Sequence, residues 1–281
     1  MDAFGALISF ALAVLLVLFE MSVIYPLPLS DIGAVRYRTM PTMTYLLIIV
    51  NALVFIAWQA PDIYGVELDS YRDLQPYMDK IWTYGYRDVF MTEGLSIGAF
   101  TTFTSMFMHG DIWHLFGNMI FLWAFGRRLE DACGPWRYLL FYLTAGMVAN
   151  LGSVVLNPVQ GELPSVGASG AIAGVMGAFL VLFPRARIQC LWFIGMILWI
   201  PYRAITRQEN IFSRYIVLPA GLFLLYFAFR ELLPSLETIT QGDNVGGVNN
   251  LAHLLGFAAG PLILLFVRKD LLVRFITRRA V

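Results

Sequence analysis

The sequence predicts an all-α polytopic membrane protein: a six-helix bundle core preceded by one extra N-terminal transmembrane helix. Of its 281 residues, 59% are hydrophobic and only 14% charged, against roughly 25% charged in a soluble domain. Mean hydropathy is +0.70. Apolar runs recur at about the 20-residue length that a bilayer requires. The basic residues fall almost wholly on alternate connections between those runs, which fixes one orientation. Net charge is zero, so the composition carries no footprint for nucleic acid, and no nucleic-acid partner is expected.

In chain order, the apolar runs occupy about 4–25, 42–60, 112–127, 137–157, 169–184, 215–233 and 250–267. The two shortest can extend into their flanks. The first run begins "MDAFG", with Asp2 where a signal peptide carries basic residues, and no small-residue cleavage site follows. It is read as a retained helix, with 1–41 as an N-terminal segment, 42–270 as the core and 271–281 as a basic cytoplasmic tail. A further run from Ile188 to Ile200 is short and ends at Pro201, so it is expected to be re-entrant or interfacial. The loop 61–111 carries Tyr64, Tyr71, Tyr77, Trp82, Tyr84 and Tyr86, which suit headgroup depth. Segment 234–249 is expected to be a short mobile connection.

With Arg36 and Arg38 on the cytoplasmic side, only Arg72, Lys80, Arg87 and Arg230 fall outside. Counting 188–200 as a span would move Arg203, Arg207 and Arg214 outside as well, so seven spans are preferred. Cys133 and Cys190 both fall on the inner side, and no disulfide is implied. A prokaryotic inner membrane is the expected location, with the site open to the extracytoplasmic face.

Three helices then begin at the outer face, near 112, 169 and 250. His109 and His114 sit at the first, Ser169 opens the second, and His253 lies at the third. Asn118 lies one turn below His114 on the same face. Ser169, His253, His114 and Asn118 therefore share one depth, although they are distant in sequence. Gly256 and Gly260 follow His253 on its helix face, and Gly170, Gly174 and Gly177 follow Ser169. Small residues allow membrane helices to approach closely. A serine hydroxyl becomes a nucleophile when a neighbouring base takes its proton, and a neutral imidazole can be that base. His114, Asn118 and the Ser169 N–H would face a developing oxyanion. The core spans are read as offering no buried acid, so a Ser–His dyad is expected.

Each residue also has a plain structural use. A serine at a helix start commonly caps it, and His109 and Asn150 are read as structural, Asn150 as interhelical glue. Asn250 is read as the cap of the last helix, and Glu130 as an ion-pair partner of Arg127 and Arg128. Phe223, Tyr226, Phe227 and Phe229 are read as packing or lipid-facing residues. The G-x-S-x-G elbow does not apply, because Ala171 holds its last position. The histidine spacing does not make a metal site, and no cofactor is expected. A transporter would show internal repeats and helices broken near the midplane, and none is seen.

Three blocks together resemble the rhomboid intramembrane serine proteases: "HGDIWHLFGN" (His109, His114, Asn118), "GASG" (Gly167, Ser169, Gly170) and "AHLLGFAAG" (His253, Gly256, Gly260). They occur in that family's order, and the resemblance covers roughly 42–270. It implies Ser169 as nucleophile, His253 as base, and His114, Asn118 and the Ser169 amide as oxyanion hole. Substrates would be membrane-anchored proteins cut within or next to their spanning helix near the outer face. A non-catalytic binder of transmembrane helices is the alternative; inactive members of the family lack the serine or the histidine, and this chain keeps both. Two features depart from the pattern. The loop "GAFTTFTSMF" lacks the Trp-Arg pair of many members, and Ala173 stands where some members stack a tyrosine on the histidine. Something else must hold His253.

Overall fold

At the centre lies the helix that Ser169 opens, Ser169–Leu182, whose residues from Gly170 to Phe179 are all buried. Fourteen residues at about 1.5 Å each span roughly 21 Å, short of the ~30 Å hydrocarbon core. The other helices surround it. The computed structural model describes residues 26–32, 39–64, 71–87, 95–156, 164–205, 215–241, 249–268, 270 and 273. The run 4–25, Arg36 and Arg38, segment 242–248 and nearly all of the tail lie outside the described residues.

In chain order the elements are β1 (Leu27–Ile32), α1 (Thr42–Tyr64), α2 (Gln75–Tyr84), α3 (Leu95–Thr104), α4 (112–133), α5 (Pro135–Leu156), α6 (Ser169–Leu182), β2 (Arg187–Leu191), α7 (Phe193–Ile205), β3 (Tyr215–Pro219), α8 (Ala220–Gln241) and α9 (Asn250–Val267). α1 and α4 each contain one π-helical turn, at Phe55–Gln59 and Leu122–Gly126. Gly134, at φ 82°, makes the turn between α4 and α5, a backbone conformation that glycine adopts without steric cost. Pro135 follows as the first residue of α5, where a missing N–H costs nothing.

The chain is mostly helical, but it is not all-α. β1, β2 and β3 form an antiparallel three-stranded sheet in that order, with Ile188 opposite both Asp31 and Leu218. It lies at the end of the bundle opposite Ser169, since β2 follows the C-terminal end of α6. The run 188–200 therefore divides into a strand and the start of a helix that continues through Pro201. The physical signal is a period of two: Ile188 and Cys190 are buried while Arg187 is exposed and Gln189 and Leu191 are half-buried. β3 likewise replaces the first turn and more of the span expected from 215. α8 starts at Ala220 and passes Pro234 to Gln241, with hydroxyls of Ser235 and Thr238 bonding the Glu231 and Pro234 carbonyls.

Outward faces are apolar and inward faces carry the polar groups. On α1, Leu46, Ile49, Leu53 and Ile56 are exposed while Thr44 and Asn51 are buried. α8 exposes Leu222, Leu225, Tyr226 and Phe229, and α9 exposes Leu262, Leu265 and Phe266. A water-soluble monomer rarely exposes such stripes. Among the described residues, α1 and α9 are long and apolar enough to cross a membrane on their own criteria, and α6 is apolar but shorter. Phe223 and Phe227 turn inward: Phe223 stacks on Phe125 at 5.8 Å, and Phe125 meets Phe179 edge-on at 5.2 Å. Phe227 packs 6.1 Å from Phe257.

Glu130 makes a different contact from the one expected. It is fully buried and accepts hydrogen bonds from the Met43 N–H (2.9 Å), the Thr44 N–H (2.7 Å) and the Thr44 hydroxyl (2.7 Å). Pro41, at the N-cap of α1, has no side chain that can cap, so the orphan amides of α1 take a carboxylate from α4. Arg128 pairs instead with Asp31 of β1 at 2.8 Å, and Arg127 lies over the Trp123 ring at 4.1 Å.

Candidate active site

α6 and α9 are packed backbone to backbone. A Cβ on Gly256 would overlap the Gly170 carbonyl oxygen, and one on Gly260 would overlap that of Gly174. A Cβ on Gly177 would overlap the Phe257 carbonyl, and one on Gly174 would come within 2.6 Å of the Ala145 Cβ on α5. This glycine ladder, legible in the sequence, sets the separation between the helix of Ser169 and the helix of His253.

Ser169 is not the N-cap of its helix. That position belongs to Ala168, which supplies no side-chain cap, so the serine is free of the ordinary capping use. Its Oγ lies 2.7 Å from His253 Nε2. His253 sits in the first turn of α9, which is capped by the Asn249 side chain accepting from the Ala252 N–H at 2.9 Å. The cap is therefore one residue earlier than Asn250. Both Ser169 and His253 are half-buried.

The expectation of a pair without an acid does not hold. Glu231, inside the run 215–233, places Oε2 3.0 Å from His253 Nδ1. Its side chain is 1% exposed. Its other oxygen accepts from Arg230 at 2.6 Å (Nη2) and 3.2 Å (Nε). The signal was present: an ionisable residue inside a membrane span is a functional candidate by default. The boundary was the obstacle, because a helix starting at 215 puts Glu231 at its rim, whereas one starting at 220 puts it mid-helix.

His114 and Asn118 come from α4. Asp111 caps α4, its Oδ1 accepting from the N–H of Trp113 (2.7 Å) and His114 (2.9 Å). The Gly110 N–H donates to His114 Nδ1 at 3.4 Å, so in the neutral ring the single proton sits on Nε2. Gly167 has φ 132°, and a Cβ there would lie 2.9 Å from His114 Nε2 and 3.5 Å from Ser169 Oγ. His114 Nε2 and Ser169 Oγ thus both border Gly167. Asn118 is 7% exposed, and among the described residues its Nδ2 has no hydrogen-bond partner, an unusual condition for a buried donor.

His109 is fully buried, and its ring meets that of His114 edge-on at 5.2 Å. Its backbone is held by Gln59, which donates to the His109 carbonyl (3.0 Å) and accepts from its N–H (3.1 Å). Tyr77 of α2 donates to the Gly110 carbonyl at 2.7 Å. Burial, with the Asp111 charge adding to it, pushes the Tyr77 hydroxyl up to about 12. Asn150 bonds the Thr102 carbonyl (3.3 Å) and Ser105 Oγ (3.2 Å), joining α5 to α3. The Ser105 backbone carbonyl accepts the Gly167 N–H at 2.9 Å, which ties the loop before Ser169 to the outer helices. Among the described residues no group of three or more His, Cys, Asp or Glu is arranged to hold a metal ion.

Residues 98–270 match the Rhomboid domain, more than half of the chain. The chain belongs to the rhomboid family. Membership makes it an integral membrane protein. The chain is 34% identical to Rhomboid protein 1, mitochondrial, of Saccharomyces cerevisiae over 157 residues, covering 54% of this chain and 40% of that one. It is 28% identical to the human Presenilin-associated rhomboid-like protein, mitochondrial, over 147 residues (52% and 34%). To Rhomboid protease GluP of Bacillus subtilis it is 40% identical over 92 residues (33% and 17%). The chain thus matches less than half the length of each of these relatives.

Proposed function

We propose that this rhomboid is an intramembrane serine endopeptidase with a six-helix core. One observation carries the reading: the 2.7 Å contact between Ser169 Oγ and His253 Nε2, with the serine outside its ordinary capping position. Oγ attacks the scissile carbonyl carbon while its proton passes to Nε2. The carbonyl π pair becomes an oxyanion facing His114 Nε2–H, the unpartnered Asn118 Nδ2 and the Ser169 N–H. The proton then passes from Nε2 to the leaving amine as the C–N bond breaks. Water, deprotonated by the same imidazole, hydrolyses the acyl-serine.

The setting supports a membrane-anchored protein as substrate. Because α6 is shorter than the hydrocarbon layer and enclosed by its neighbours, the Ser169 end lies within membrane depth when the sheet end meets the opposite interface. A spanning helix of another protein, opened locally, is the chain that reaches it. Charge placement supports an extracytoplasmic opening. The relative in Bacillus subtilis favours the expected prokaryotic membrane, and the relatives named mitochondrial weigh against it.

A fluorophosphonate serine-hydrolase probe tests the reading. Wild type and Ser165→Ala, whose position 165 pairs with Tyr86 through backbone alone, are expected to label. Ser169→Ala and His253→Ala are expected not to. Absence of label on folded wild type in both detergent and bilayers would return the groove to a non-catalytic binder of transmembrane helices.

A further inference from the structure

We infer that Glu231 is a positioning residue for His253, so that the site works as a Ser169–His253–Glu231 triad. This rests on the protease reading above and extends it. A carboxylate accepts hydrogen bonds and donates none, so the 3.0 Å contact with Glu231 Oε2 requires the proton on His253 Nδ1. A neutral imidazole carries one ring proton, and Nε2 is then left with its lone pair. That lone pair faces the Ser169 hydroxyl at 2.7 Å, the arrangement a general base needs. With the other tautomer the same geometry would be inert, because Nε2–H has no pair to accept the serine proton.

The carboxylate is fixed as well as present. Glu231 is 1% exposed and lies between two donors, with Arg230 on Oε1 and His253 on Oε2. A buried carboxylate persists in such a place only when paired, and half of its pairing is the catalytic imidazole. The charge also matters during turnover. When Nε2 takes the serine proton the ring becomes an imidazolium, and the adjacent anion stabilises it without taking the proton itself. The groups facing His253 are Glu231 with Arg230 behind it from α8, Ser169 from α6 and His114 from α4. Among the described residues, Glu231 supplies the negative charge that touches the ring.

The test uses the full chain in bilayers, with Glu231→Gln, Glu231→Ala and Glu231→Asp beside wild type, Ser169→Ala and His253→Ala. The maximal rate of fluorophosphonate labelling is expected to fall by about 10²–10⁴-fold in the Gln and Ala variants. Half-saturating probe concentration should hold, and Asp should restore part of the rate. Imidazole ¹⁵N spectra report the tautomer independently of catalysis, since the chain has only three histidines and His253→Ala assigns the signal. His253 is expected as Nδ1–H in wild type, with that preference lost in Glu231→Ala. Wild-type labelling rates with an unchanged tautomer in Glu231→Ala would overturn the inference while leaving Ser169 and His253 as the reacting pair. If wild type fails to label but Glu231→Ala still changes the tautomer, the protease reading fails and the positioning role stands. If neither rate nor tautomer responds, the positioning role is refuted.

Discussion

Replacing Gly256 by alanine should separate the two reacting groups without touching either. The new Cβ would overlap the Gly170 carbonyl oxygen and lie 3.1 Å from its carbon and 3.3 Å from the Ala149 Cβ. The obstacle is backbone and cannot rotate away, so reaching an ordinary contact of about 3.5 Å requires the helices to part by on the order of 1 Å. Gly170 follows Ser169 directly, and Gly256 lies in the same helix one turn after His253, so the displacement passes to the 2.7 Å Oγ–Nε2 bond. At about 3.5 Å or beyond, that contact is no longer a hydrogen bond. A misplacement of about 1 Å costs roughly 10²-fold in rate, and overpacking costs about 1–3 kcal/mol of stability. Gly152→Ala is the control, since its Cβ comes tightest on the flexible tip of the Leu255 side chain, at 3.1 Å, and no closer than 3.8 Å to the rest of it. Probe-labelling rate and thermal midpoint would be measured together in one detergent. Wild-type labelling by Gly256→Ala, or an equal loss in Gly152→Ala, would refute the claim that this ladder sets the catalytic distance.

Asn118→Ala should lower the rate of peptide cleavage by about 10²–10³-fold with little change in substrate affinity. Its thermal midpoint should stay near wild type, because the deleted Nδ2 has no partner among the described residues; a large stability loss with normal turnover would make it packing only. Tyr77 gives an alkaline signature. Its hydroxyl is pushed up from 10.0 to about 12, so above pH 10 the unfolded chain releases this proton first and unfolding is favoured as pH rises. The stability advantage of wild type over Tyr77→Phe should therefore be full below pH 10 and shrink toward pH 12, and a constant gap in denaturant titrations would contradict the assignment.

The sequence makes some of this legible and hides the rest for identifiable reasons. Helix starts marked by a polar residue before an apolar run are the clearest: Asp111 before α4 and the Asn249–Asn250 pair before α9. They place His114, Asn118 and His253 at one depth. The glycine spacing of α6 and α9 is equally direct, since a missing Cβ has meaning only where another backbone comes close. Short strands are obscured because RIQCL and YIVLP are apolar enough to merge with neighbouring spans, and five residues hold too few periods to separate two from 3.6. That merger moved the start of α8 by five residues and hid the depth of Glu231. Glu130 misleads differently: adjacent arginines invite a local ion pair, whereas the stronger demand comes from uncapped amides 86–87 residues away in sequence.

Ala173 and Glu231 bear on one problem, the orientation of a base on a helix end. An aromatic ring stacked on an imidazole fixes the plane of the ring but leaves either nitrogen free to carry the proton. At position 173 this chain has a buried methyl, which offers no such face. A carboxylate on Nδ1 constrains plane and tautomer together, and it comes from α8 rather than from the serine's own helix. Competence of the base then depends on three helices instead of two: the glycine ladder fixes α6 against α9, and the Glu231 contact adds α8. A change that tilts α8 outward, such as a bulky residue replacing Gly221, whose Cβ would lie 3.2 Å from the Pro184 carbonyl oxygen, would act on the base without altering the Ser169–His253 ladder. Loss of activity and loss of the Nδ1–H tautomer would then occur together.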